Sequence, residues 1–212
     1  MGLQQRELSQ FIKTDSFLIL KIKITKSTSL IIKRPLYLLH NEFPQLELRL
    51  PKPIPSISLP NIPSGYVLRT LNEEDKPFFI SLLSKCGFSF TNDGIENILS
   101  LCLPNGCYLI EKLSTKSIVS TMMARHLSSP KYPFGGRIDW LATDPKFRKL
   151  GLGAICATAA TKRLIDAKYE NIWVTTDDER IGAIKTFLSI GFEPVMNNAT
   201  KFRWNKVIKR IS

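Results

Sequence analysis

The pattern of apolar and polar residues from Gly65 onward predicts a chain of alternating strands and helices. Strands are indicated by short apolar runs or by alternation, and helices by apolar residues that recur every three or four positions. In chain order the pattern is β-α-α-β-β-β-α-β-α-β-β, an α/β (α+β) arrangement. The predicted strands cover residues 66–69, 107–113, 118–127, 138–143, 171–176, 192–195 and 200–204, and the predicted helices cover residues 76–85, 95–101, 154–168 and 180–188.

A different pattern precedes Gly65. Residues 17–24 and 46–50 alternate apolar and charged side chains, which predicts strands with one wet face, and residues 30–39 form a possible strand interrupted by Pro35. Five prolines between positions 51 and 63 exclude a helix and indicate an extended linker. We therefore predict a basic, β-rich extension with a Pro-rich linker at 1–64 and a separate domain at 65–212. A chain that starts near Pro60 is expected to fold.

Residues 138–154, IDWLATDPKFRKLGLGA, read as a strand, a basic glycine loop and the start of a helix. Asp144-Pro145 ends the strand, because proline lacks an amide donor and restricts the residue before it. The first amides of a helix have no intrahelical partner, glycines allow close approach, and Arg148 and Lys149 add positive charge. The stretch predicts a phosphate-binding loop. A solvated basic turn before an ordinary helix is the alternative.

The spacing of the glycines distinguishes between known phosphate loops. A dinucleotide-binding fingerprint would need a third glycine where Cys156 stands, and the Gly-Lys-Ser/Thr of a Walker loop is absent. The loop instead resembles the acetyl-CoA loop of the GCN5-related N-acetyltransferases, the GNAT family, written R/Q-x-x-G-x-G/A. Arg148, Gly151 and Gly153 match its three fixed positions.

A second stretch, residues 183–192, resembles a later motif of the same family, usually N-x-x-A-x-x-x-Y-x-x-x-G-F. With the element order, the resemblance extends over residues 66–204. It implies the GNAT fold, a mixed, mostly antiparallel central sheet with splayed central strands and helices on both faces. Two positions depart from the motif. Phe187 replaces the tyrosine that often reprotonates the CoA thiolate, which leaves the proton donor open, and Arg180 replaces the asparagine.

The resemblance also implies an activity and its site. It implies an N-acetyltransferase that uses acetyl-CoA as acyl donor substrate and moves the acetyl group to a primary amine by direct attack. The thioester oxygen would be bound by a backbone amide of Leu141 or Ala142, and Arg180 could contact the cofactor's phosphates. The pantetheine arm would pair with Leu141, Ala142 and Thr143, and the pyrophosphate would lie on the amides of Arg148, Lys149, Leu150, Gly151, Leu152, Gly153 and Ala154.

Asp139 is the candidate base that removes the proton of the amine, because it is an acid on the strand that would carry the cofactor. The alternative is that Asp139 is solvated or pairs with Arg137 or Arg125. Asp177 and Asp178 follow the next strand and could bind the amine, or they could cap the helix that comes after them.

The net charge of +12 is compatible with a highly anionic cofactor and leaves other functions open. The densest run, residues 201–210, has five bases and no acid, and Phe202 and Trp204 lie within it. Bases interleaved with aromatics suit a nucleic-acid site, but a half-buried strand gives the same alternation, so a nucleic-acid partner is not expected and a nucleic-acid-associated protein is kept only as an alternative. A non-catalytic acyl-CoA-binding or regulatory module is another alternative, supported by Phe187.

Composition bounds the environment of the protein. The polar start MGLQQRELSQ is not a secretory signal, and no apolar run is long enough to span a bilayer. The four cysteines form no C-x-x-C pair, which favours free thiols in a reducing cytoplasm over a zinc site or disulfides. We expect no metal and no membrane partner, and a monomer or homodimer. The sequence does not identify the acceptor amine.

Overall fold

The computed structural model describes residues 10–13, 17–25, 28–35, 44–88 and 92–211. Residue contacts divide the chain into two units, Met1–Gln45 and Leu46–Ser212. The first unit contains a three-stranded antiparallel sheet in the order β1-β2-β3. The predicted strand at 17–24 is confirmed, and positions 36–39 of the second predicted strand lie outside the described residues. The strands of this unit are β1 (Gln10–Lys13), β2 (Phe17–Thr25) and β3 (Thr28–Pro35).

The second unit is built on a seven-stranded sheet with the order β10-β4-β9-β8-β7-β6-β5. Neighbouring strands are antiparallel except β8 and β9, which are parallel. The strands are β4 (Leu46–Arg49), β5 (Tyr66–Thr70), β6 (Cys102–Lys112), β7 (Ser117–His126), β8 (Gly135–Thr143), β9 (Asn171–Thr176) and β10 (Glu193–Pro194). The helices are α1 (Lys76–Lys85), α2 (Asn92–Ser100), α3 (Leu152–Asp166), α4 (Ile181–Ile190) and α5 (Lys201–Ile211).

Two apolar cores cover the two faces of this sheet, so the predicted mostly antiparallel sheet with helices on both faces is confirmed. Met122 and Met123 are neighbours on β7 and belong to different cores, as the alternation of side chains along a strand requires. The Met122 core includes buried residues of α3, α4 and α5, and the Met123 core includes buried residues of α1 and α2. Within the described part of the chain, no helix is both long and apolar enough to cross a bilayer.

The predicted strand at 200–204 is wrong, because this segment starts the helix α5. Trp204 and Val207 are buried at a spacing of three residues and Ile211 follows one turn later, which is the period of a helix. The alternation of Phe202, Arg203 and Trp204 was too short to distinguish the two periods. Because Trp204 is fully buried, it offers no surface for stacking a base.

The strand β4 belongs to the seven-stranded sheet although it precedes the Pro-rich segment. It lies between β9 and β10 and pairs with β9 from Leu46 opposite Thr176 to Arg49 opposite Trp173. Leu46, Leu48 and Leu50 are all buried in the core. The predicted boundary after residue 64 is therefore too late, and the larger unit begins at Leu46.

Removing residues 1–59 is expected to destabilise the larger unit severely, whereas removing residues 1–44 leaves it folded. Burial of each leucine of β4 contributes about 1.5–3 kcal/mol, and a whole domain is stable by only about 5–15 kcal/mol. Thermal melts of the two shortened chains check this. The chain that starts at Pro60 should melt at least ~10 °C below the chain that starts at Gln45, or show no transition. Equal melting temperatures would show that β4 is dispensable.

Candidate active site

The central strand β8 contains a β-bulge. Its residues Asp139 and Ala142 lie opposite Met123 and Thr121 of β7, so β8 spans three steps where β7 spans two. Trp140, inside the bulge, has a left-handed backbone with φ of 63°. A bulge bends its strand and interrupts regular pairing.

The neighbouring strand β9 separates from β8 near the same place. The parallel pairing runs from Gly135 opposite Asn171 to Arg137 opposite Trp173 and stops there. β9 then continues to Thr176 along β4, on its other side. The central strands are therefore splayed, as the resemblance implied, and we call the unpaired stretch between β8 and β9 beyond Arg137 and Trp173 the opening.

Leu141 and Thr143, predicted as contacts of a pantetheine arm, present their carbonyl groups along this part of β8. The Leu141 carbonyl accepts a hydrogen bond from Arg180 Nη2 at 3.0 Å, and the Thr143 carbonyl accepts one from Arg148 Nε at 3.2 Å. The Ala142 carbonyl between them accepts from the hydroxyl of Ser120 on β7 at 3.1 Å. Successive carbonyls of this strand thus accept hydrogen bonds alternately from arginines of the two predicted motifs and from β7.

The glycine loop leads from β8 into α3. Asp144 caps a short turn by accepting a hydrogen bond from the Lys146 amide at 3.0 Å. Gly151 is the N-cap of α3, with φ of 75°, and Lys149 is also left-handed, with φ of 65°. The side chains of Arg148, Lys149 and Leu150 are exposed. The loop therefore places positive side chains beside the first amides of a 15-residue helix, an arrangement that binds anions.

Glycine is favoured at the two loop positions, 151 and 153, for different structural reasons. Open space surrounds the position where Gly151 would carry a Cβ, and its left-handed backbone is what favours glycine there. A Cβ on Gly153 would lie 2.9 Å from Thr143 Oγ1 and 3.5 Å from Leu141 Cδ1. Gly153 thus lets the start of α3 approach β8 closely, while Gly151 leaves the loop surface open. This pattern fits a phosphate group resting on the loop.

Asp139 is buried between two arginines on the sheet. Its Oδ2 lies 2.5 Å from Arg125 Nε and its Oδ1 lies 2.8 Å from Arg137 Nε. These are charge contacts rather than well-aligned hydrogen bonds, since neither Nε–H is directed at the carboxylate. Arg137 is held further by Thr175 Oγ1 at 2.7 Å and by the ring of Trp173. This is the ion pairing that was expected as the alternative to a catalytic role.

Opposing influences act on the Asp139 carboxyl. Burial raises its pKa, and the nearby Arg137 and Arg125 lower it by favouring the ionised form. Burial also lowers the pKa of the Arg137 guanidinium, although Asp139 opposes that change. The three side chains therefore form a group of two cations and one anion, in which loss of the anion would leave two arginines facing each other.

The other two candidate acids occupy different surroundings. Asp178 forms an ion pair with Arg203 of α5, with 2.9 Å between its Oδ2 and Arg203 Nε. It thereby links the loop after β9 to the last helix. Asp177 accepts a hydrogen bond from the Arg180 amide through its backbone carbonyl at 3.1 Å. Arg180 itself is the N-cap of α4 and makes no side-chain cap.

Arg180 reaches the bulge of β8. Besides its hydrogen bond to Leu141, its guanidinium carbon lies 4.6 Å from the centre of the Phe88 ring, and Phe88 packs edge-on against Trp140 at 5.2 Å. Phe187, at the tyrosine position of the motif, is buried and packs against Phe192. The structure therefore places Arg180 at the bulge and Phe187 in the core.

Sequence reasoning missed two residues of this neighbourhood, Cys86 and Phe88, which follow α1. The Cys86 thiol donates a hydrogen bond to the Thr143 carbonyl at 3.4 Å, and Phe88 covers one face of Arg180. Neither residue belongs to a motif. The only available signal was their position just beyond the end of a predicted helix, where chains often contribute to sites.

Comparison with known proteins identifies the family. Residues 68–192, more than half of the chain, match the family model described as "Acetyltransferase (GNAT) family". The chain belongs to the GNAT family. The motifs at 148–153 and 183–192, the splayed strands and the bulge thus occur in a GNAT domain. A comparison with curated proteins found no match.

Solved structures of similar fold carry the same family name. A GCN5-related N-acetyltransferase from Sphaerobacter thermophilus matches with a TM-score of 0.56 and 15% identity, over 76% of this chain and 52% of that one. A GCN5-related N-acetyltransferase from Kribbella flavida matches with a TM-score of 0.50 and 13% identity, over 88% and 86%. A protein from Novosphingobium aromaticivorans, described as a GNAT acetyltransferase, matches with a TM-score of 0.52 and 19% identity, over 71% and 59%.

The chain spans about half to three fifths of the length of the Sphaerobacter and Novosphingobium proteins. At these identities the likeness shows the fold alone. The family match supports acetyl transfer as the general activity.

Replacing Asp139 with asparagine is expected to destabilise the protein by about 3–5 kcal/mol, because it leaves Arg125 and Arg137 buried without an anion. Denaturant unfolding measures the change. The control is Asp178→Asn, which removes a more exposed ion pair with Arg203 and should cost about 0–1 kcal/mol. If Asp139→Asn is as stable as the control, the ion pairs of Asp139 with Arg125 and Arg137 do not contribute measurably to the stability of the fold.

Proposed function

We propose that this protein is an N-acetyltransferase that moves the acetyl group of acetyl-CoA to a primary amine by direct attack. The observation that carries the proposal is the continuity of two features. The open, bulged edge of β8 runs directly into a glycine loop at the start of α3. Acetyl-CoA is an elongated donor whose anionic pyrophosphate is complementary to the glycine loop and whose amide-bearing arm is complementary to the edge of β8.

The chain's residues would divide the binding of acetyl-CoA between them. The amides of residues 148–154, with Arg148 and Lys149, would hold the pyrophosphate. The backbone of residues 141–143 would pair with the pantetheine arm, since the Leu141 and Thr143 carbonyls can each accept a second hydrogen bond beside those from Arg180 and Arg148. A backbone amide at Leu141 or Ala142 would donate to the thioester oxygen, where negative charge develops during attack. The donor supplies an activated acyl group when bound. The protein positions it for attack by the amine.

Asp139 is the proposed base for the amine proton. It lies on the strand with the open edge, one residue before the left-handed Trp140. Burial raises the pKa of its carboxyl, which makes the carboxylate a stronger proton acceptor, and the nearby Arg137 and Arg125 oppose this change. A purely structural carboxylate is the competing role. An Asp139→Asn protein that remains folded under assay conditions despite the lost ion pairs, binds acetyl-CoA normally and transfers acetyl groups about a hundredfold more slowly would favour the base.

A non-catalytic acyl-CoA-binding module is the second candidate function, and Phe187 favours it, since phenylalanine offers no proton to a departing thiolate. A screen of primary amines with acetyl-CoA, read as release of free thiol, separates the two functions. The proposed enzyme releases CoA when a suitable amine is added. A module binds acetyl-CoA and releases no thiol with any amine. We further propose a cytoplasmic location, which the free thiols Cys86, Cys102, Cys107 and Cys156 suit.

Gly151→Asp is expected to weaken acetyl-CoA binding strongly, because it puts a negative charge where the loop would meet pyrophosphate. Gly151→Asn is the matched control, since asparagine has nearly the same shape and also tolerates the left-handed backbone at this position. Calorimetric titration of both variants with acetyl-CoA isolates the charge. We expect at least a tenfold difference in affinity, about 1.4 kcal/mol. Equal affinities in the two folded variants would remove the pyrophosphate from this loop.

A further inference from the structure

Arg180 places a cation at the bulge of β8, away from the glycine loop. Its Nη2 donates to the Leu141 carbonyl at 3.0 Å, whereas Arg148, on the loop, contacts Thr143 two residues further along the strand. A donor that lies along β8 with its phosphates on the loop would bring its reactive end toward the bulge. On this placement of the donor, Arg180 would lie nearer to the thioester than Arg148 does, whereas the sequence suggested a contact of Arg180 with the phosphates.

We propose that Arg180 is a catalytic residue that faces the CoA sulfur and stabilises it as a thiolate when the acetyl group leaves. This inference rests on the proposed function, since it requires CoA in the opening beside β8. Phe187 stands where the family motif has a tyrosine, and it cannot donate a proton to the thiolate. On this proposal, the positive charge of Arg180 stabilises the thiolate instead.

The balance of the step explains why a cation suffices. The amine nitrogen forms a bond to the acetyl carbon, the carbon–sulfur bond breaks, and its electron pair remains on sulfur. The amine proton passes to the base or to solvent. Arg180 transfers no proton, because a guanidinium remains protonated across the physiological range. The product CoA leaves as a thiolate and takes up a proton in solution, so Phe187 is no obstacle.

The surroundings of Arg180 strengthen its electrostatic effect. One face of the guanidinium is covered by Phe88, which is itself packed against Trp140. Burial lowers the pKa of the Arg180 guanidinium, and Asp177 opposes this change. The guanidinium is half-buried, so water screens its charge less than that of a fully exposed arginine, and an opposite charge nearby interacts with it more strongly than it would in solvent.

The titration of bound CoA tests the proposal without an acceptor amine. An ordinary thiol titrates near pH 8.5, and an adjacent cation lowers such a pKa by about one to three units. The ultraviolet absorbance of the thiolate should therefore appear at lower pH for bound than for free CoA. Correspondingly, the affinity for CoA relative to CoA without its sulfur should rise between about pH 6 and 9.

Three variants assign this shift to Arg180. Arg180→Gln should abolish the shift, and Arg180→Lys should keep part of it because it retains the charge. The control Arg148→Gln should weaken CoA and sulfur-free CoA by the same factor and leave the shift intact. Arg148 is matched in charge and also contacts a carbonyl of β8.

An unchanged thiol pKa in bound CoA, or the same shift in Arg180→Gln as in the wild type, would overturn the proposal. Should Arg180→Gln not fold, the Arg180→Lys variant and the wild-type comparison of CoA with sulfur-free CoA still decide the question. Failure of the proposed function has a different signature, since the wild-type protein would then release no free thiol from acetyl-CoA with any amine, whatever the pKa of bound CoA.

Discussion

The early end of the pairing between β8 and β9 is the constraint on which the rest of the site depends. Beyond Arg137 and Trp173 the two strands separate, and the carbonyls of Leu141 and Thr143 take their hydrogen bonds from side chains instead of a strand. Backbone groups inside a protein require such partners. The carbonyls along the opening keep hydrogen-bond partners because Arg180 and Arg148 reach them from two separate parts of the chain.

The same constraint explains the role of β4. β9 leaves β8 after Trp173 and continues to Thr176, and the residues from Trp173 to Thr176 pair with β4. β4 therefore stabilises the part of β9 that lies across the opening from β8. The sequence predicted a strand at 46–50 correctly from its alternation, but alternation does not identify the partner of a strand. The following prolines suggested a domain boundary, because the sequence cannot show that a linker returns to the same sheet.

Local features of the site were predictable and long-range ones were not. Gly151 and Gly153 were predicted because glycine at the start of a helix, and glycine where a helix lies close to a strand, can both be recognised within a few residues of sequence. The grouping of Asp139 with Arg125 and Arg137 depends on strand register, and only its possibility could be stated. The contact of Arg180 with Leu141 spans 39 positions and depends on the bulge, which no local pattern showed. At 200–204, three residues of alternation misled because a helix period needs more positions to appear.

The two departures from the family motif lie in different surroundings in this structure. Phe187 packs against Phe192 in the core, where a hydroxyl would need a partner, and Arg180 lies at the bulge, where burial disfavours its charge. On the proposed roles, the fixed cation replaces a proton donor. A tyrosine that donates its proton must regain it in every cycle, so activity falls once the pH exceeds its pKa. A guanidinium has no such limit, so the alkaline side of the rate profile would report only the amine and its base.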